Sequence, residues 1–109
     1  MPLAECYVTS AHSVGFLRFE TPRERLSLPY ATLLGFTLSN DETILELDYA
    51  SHKITVKGKR LYEVFCVLSA GIGQALIARP ETDALIMGPS AKAPFIQEIR
   101  IKPISTDEP

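Results

Sequence analysis

The chain is poor in the residues on which chemistry is most often built. Its 109 residues include two cysteines and two histidines. Neither Cys6 nor Cys66 has a third Cys or His at a metal-ligand spacing, so no metal site is expected. The Cys6 and His12 spacing matches no local catalytic signature. No apolar run approaches the ~18 residues of a bilayer-spanning helix, and no membrane partner is expected. The opening MPLAECYVTS lacks the basic and continuous apolar regions of a secretory signal, which makes the cytoplasm, with reduced thiols, the expected location. There is no internal repeat and no low-complexity segment. Nor is there an excess of positive charge: 11 basic against 13 acidic residues leave a net charge of −2, which gives no general attraction for nucleic acid.

What is present is alternation. The length suits a single domain, expected over residues 1–104 with a disordered tail at 105–109. GFLRFE and RLSLPY read with period two around TPRE, where Pro22 suits a type I turn. Pairing Glu20 with Arg25 then sets Phe19 against Leu26 and Leu17 against Leu28. Pro29 marks a bend before LLGFTLS, and Gly35 suits a bulge or sharp twist. Taking SNDE as a turn that pairs Ser39 with Glu42 predicts Phe36 against Leu45 and Leu34 against Leu47. A third hairpin, with Tyr49 facing His52, predicts Asp48 against Lys53, Glu46 against Thr55 and Ile44 against Lys57. It also sets Leu47 against Ile54 and Leu45 against Val56, whereas a slip of one residue would turn the apolar set to solvent.

After Gly58 the period becomes helical. Leu61, Val64, Phe65 and Leu68 form one stripe, with Cys66 on or beside it as an inert packing residue. Gly58 is the expected N-cap of a helix of about three turns, and Gly71 followed by Ile72 fits a left-handed C-cap. This places Lys59 and Arg60 in the first turn, against the helix dipole. QALIAR and PFIQEIRIKP read as further strands, the second with Phe95, Gln97, Ile99 and Ile101 on one side, Glu98, Arg100 and Lys102 on the other, and Ile96 opposite Phe95 and Ile99. Between them a long loop with an apolar centre, ALIM, is expected. The fold class is α+β: an antiparallel meander of about six to eight strands, with closure into a partial barrel as an alternative, and one main amphipathic helix packed on the sheet.

The candidate ligand-binding group is Lys53, Lys57, Lys59 and Arg60, cations that would surround a small anion at a helix N-terminus, with His52 beside them. Its competing explanation is a solvated strand face neutralised by Asp48 and Glu46. GIG at Gly71–Gly73 follows a helix rather than preceding one, unlike a phosphate loop. No catalytic residue and no cofactor is expected, and the chain reads as a non-enzyme. The leading expectation is a non-catalytic protein-interaction or assembly module, a homo-oligomer or a binder of a protein partner. The alternatives are an anion-binding domain and, more remotely, a nucleic-acid accessory protein.

Overall fold

The alternating segments form strands, and in the computed structural model, which describes residues 6–12, 14–78 and 94–104, they make two sheets around a shared core. The expected ALIM loop and the expected disordered tail lie outside the described residues. The elements are β1 (Tyr7–Thr9), β2 (Phe16–Glu20), β3 (Arg25–Pro29), a 3-10 turn (Tyr30–Thr32), β4 (Leu33–Leu38), β5 (Ile44–Tyr49), β6 (His52–Lys59), α1 (Tyr62–Ser69), β7 (Gly73–Ile77) and β8 (Phe95–Pro103). One sheet runs β1-β7-β2-β3 and the other β4-β5-β6-β8. The class is α+β, as expected, with no closed barrel among the described residues. The antiparallel meander needs correction, because β7 pairs antiparallel with β1 but parallel with β2. A parallel partner requires a long crossover, and here the whole β3-to-α1 segment supplies it.

The β2–β3 hairpin has the expected register, Glu20 to Arg25 through Leu17 to Leu28. Its turn is held by the Thr21 hydroxyl, which accepts from the Arg23 and Glu24 N–H groups. At Pro29 the chain leaves this sheet through the 3-10 turn and enters the other as β4. The register of β4 shifts between Leu33 and Gly35, so the expected irregularity at Gly35 occurs and leaves Leu34 75% exposed.

The β4–β5 register differs from expectation by two residues: Phe36 faces Leu47 and Leu38 faces Leu45. A shift of two keeps every side chain on its own face, so alternation cannot detect it. Turn chemistry decides instead. Asp41 Oδ1 accepts from the Ser39 hydroxyl at 2.7 Å, from the Thr43 hydroxyl at 2.7 Å and from the Thr43 N–H at 3.2 Å. Glu42 takes a positive φ of 63°, and Ser39 N–H bonds the Ile44 carbonyl. The loop is therefore 40–43.

The β5–β6 hairpin has the expected register throughout. Its turn is anchored where Ala50 N–H donates to the Thr32 carbonyl. In β8 the expected faces need correction: Lys57 pairs with Glu98 but Gly58 with Ile96, which leaves Gln97 as a bulged extra residue. The bulge turns Ile96 to the same side as Ile99, and both are buried. Gly58 is required there, since a Cβ would lie 1.9 Å from the Phe95 carbonyl oxygen.

The helix is shorter than expected, eight residues from Tyr62 with Leu61 at the N-cap. Lys59 ends β6, and Arg60 takes a left-handed φ of 56° between strand and helix. Gly58 is thus a strand residue, not an N-cap, and the expected conflict of two cations with the helix dipole disappears. Glu63 occupies the first turn instead, where negative charge is favoured. The expected C-cap forms: Gly71 has φ 73°, its N–H bonds the Leu68 carbonyl, and Ile72 N–H bonds that of Val67, the Schellman pattern. Leu61, Val64 and Leu68 are buried. They join Leu17, Phe19 and Leu76 from one sheet to Leu45, Leu47, Ile54, Val56 and Ile96 from the other.

Candidate functional site

The basic strand β6 sends its cations to different places. Lys53 and Lys57 point to the outer face of the β4-β5-β6-β8 sheet, about 13 Å apart at four strand positions. His52 shares the parity of the core positions Ile54 and Val56, and its Nδ1 lies 2.7 Å from the Ser51 hydroxyl. Lys59 is exposed at the end of β6 and Arg60 is exposed in the connector. The helix N-terminus is bordered by Glu63 and by the Glu42 carbonyl, which accepts from Leu61 N–H.

Pairing with β8 adds three charges that spacing along the chain does not connect with β6. Lys102 faces Lys53, Arg100 faces Thr55 and Glu98 faces Lys57. The closest carboxylate to Lys53 is Glu46, at 4.0 Å, although Asp48 is its cross-strand neighbour. Arg100 bonds Glu98 at 3.0 Å. With Glu46, Asp48 and Glu98 against Lys53, Lys57, Arg100 and Lys102, the face carries four cations and three carboxylates, a balance of +1.

A second surface lies where β4 meets α1. Phe36, Thr37, Leu38, Ser39, Asn40, Glu42, Tyr62 and Phe65 line an open groove of about 400 Å³. Phe36 meets Phe65 edge-on, with ring centroids 5.4 Å apart, and Phe65 stacks on Tyr62 at 6.3 Å. Tyr62 is 56% exposed. Its hydroxyl titrates above the ordinary tyrosine value, first through a hydrogen bond with the Cys66 thiol and last through the Glu42 carboxylate. Cys66, expected on or beside the stripe as a packing residue, is exposed and forms no disulfide, because the helix turns its Val64 and Leu68 face inward.

Comparison with protein-family models, with curated proteins and with solved structures gives no match. The site must be read from its own geometry. Among the described residues, no group of three or more His, Cys, Asp and Glu is placed to hold a metal ion, and no helix is long and apolar enough to cross a membrane.

The groove was not legible in sequence because β4 and α1 meet only through the fold. Phe65 reads as core by its helical spacing, and Phe36 and Leu38 read as core by alternation. The one local sign is Tyr62, an aromatic residue just off the apolar stripe.

Proposed function

We propose that this chain is a non-catalytic protein-interaction module that assembles as a homodimer through the β8 edge. The observation that supports it is the outer edge of β8, whose charges can complement those of a second copy. β8 has nine residues and ends its sheet among the described strands. In an antiparallel ladder the N–H and C=O of one residue point to the same neighbour and alternate along the strand. Ile104 N–H bonds the Ser51 carbonyl on the β6 side, so Lys102, Arg100 and Glu98 bond β6. Ile99 and Ile101 then present N–H and C=O away from β6. Pro103 also falls on an outward position, where its missing N–H removes no ladder bond.

Among the antiparallel registers that keep the outer residues of both copies on one face, two set Glu98 against a cation. Glu98 meets Arg100 of the second copy in one and Lys102 in the other. Ile99 meets an isoleucine in both. Light scattering at tens of micromolar tests this reading. The expected result is a dimeric mass for the native chain and a monomeric mass for Glu98→Lys, which sets cation against cation in either register. A monomeric native chain would remove the homodimer.

A further inference from the structure

We infer that the groove between β4 and α1 binds an extended peptide by strand addition, with an apolar side chain of the peptide seated against Phe36, Tyr62 and Phe65 and a basic residue beside Glu42. This rests on the interaction-module reading but uses a different edge of the molecule. β4 ends its sheet among the described strands. Ser39 N–H points to β5, where it bonds the Ile44 carbonyl at 2.9 Å. By alternation Thr37 also points to β5, and Phe36 and Leu38 present their N–H and C=O groups away from it.

Phe36 and Leu38 both line the groove. A strand hydrogen-bonded to Phe36 and Leu38 would lay every second side chain toward the inner face, over the Phe36, Tyr62 and Phe65 rings. Leu34, 75% exposed on the bulge, extends the apolar surface along the same edge. The charge is one-sided, because Glu42 is the single charged residue among those lining the groove. That selects a peptide with Lys or Arg near its apolar anchor over an acidic one.

The test is selection of a phage-displayed random octapeptide library on the Glu98→Lys chain, followed by titration of the selected synthetic peptide by fluorescence polarisation. Using this variant keeps peptide capture separate from β8 dimerisation, so either can fail alone. Enriched peptides are expected to combine β-forming residues, one aliphatic or aromatic anchor and a Lys or Arg. Tyr62→Ala, at an exposed position whose fold is checked by circular dichroism, should weaken binding at least tenfold, and Glu42→Gln at least threefold. Methylating the peptide nitrogens that bond β4 should abolish it, and amide exchange at Phe36 and Leu38 should slow on binding. The inference is overturned by no enrichment above a Tyr62→Ala control or by binding insensitive to backbone methylation. It is also overturned if the Phe36 and Leu38 amides are already protected without peptide. Protection independent of protein concentration would assign the groove to the chain itself; protection that rises with concentration would assign it to a second copy.

Discussion

Val56 and Lys57 are adjacent in β6 and occupy opposite faces of the sheet. Val56 has no exposed surface and lies between Leu45 and Ile99, whereas Lys57 faces Ile44 and Glu98 on the outer side. Val56→Lys would bury an ammonium with no partner and is expected to cost more than about 4 kcal/mol. Lys57→Val should stay within about 0.5 kcal/mol. Urea unfolding of the two variants checks the assignment, and equal shifts in midpoint would refute it. Tyr49 tests the reverse effect of polarity. Its hydroxyl is buried without a hydrogen-bond partner among the described residues, and burial first, then the neighbouring Tyr30, raises its pKa. Tyr49→Phe removes only this unpaired oxygen, so it should leave stability unchanged or raise it by about 1 kcal/mol. A loss above that size would mean that the hydroxyl is satisfied.

At the scale of elements, two local devices set geometry that apolar alternation leaves open. One is the β8 bulge, which depends on Gly58. Gly58→Ala drives a Cβ into the Phe95 carbonyl and should cost at least about 2 kcal/mol, whereas Gly15, where an added Cβ would meet nothing within 4 Å, should accept alanine with little change. Thermal unfolding of both variants separates the effects. The other device is the 40–43 turn. Hydrogen bonds from Ser39, then Thr43, hold the Asp41 carboxyl below the ordinary aspartate range. A depressed folded pKa means that the turn's contribution is present above the unfolded pKa and is lost as pH falls through the folded one. An NMR titration should show a low Asp41 midpoint that rises in Ser39→Ala. An unchanged midpoint would remove Ser39 from the cause.

For the molecule as a whole, charge argues against nucleic acid as a partner. The net charge is −2, and the outer sheet face interleaves Lys53, Lys57, Arg100 and Lys102 with Glu46, Asp48 and Glu98. Four cations contact at most about four phosphates, which gives a shallow salt slope and weak non-specific affinity. Titration with single- and double-stranded oligonucleotides at low and physiological salt should find no sub-micromolar binding at the higher salt. Such binding, lost in Lys53→Glu with Lys57→Glu while the fold persists, would make nucleic acid the leading partner.

Alternation by itself determined which residues of β2, β3, β5 and β6 face the core, and with the charges it determined two hairpin registers, because a slip of one residue exposes every apolar side chain. It likewise located the helix and its Gly71 cap, whose signals are local. It could not separate β4–β5 registers two residues apart, nor show that Gln97 is bulged, since both depend on hydrogen bonds that a period of two leaves unchanged. Only the tertiary structure placed β7 between β1 and β2, brought Arg100 and Lys102 beside β6, and set α1 against the β4 edge to form the groove. These arrangements join segments distant in the chain, and their stabilisation comes from filling one shared core, which no local window of residues contains.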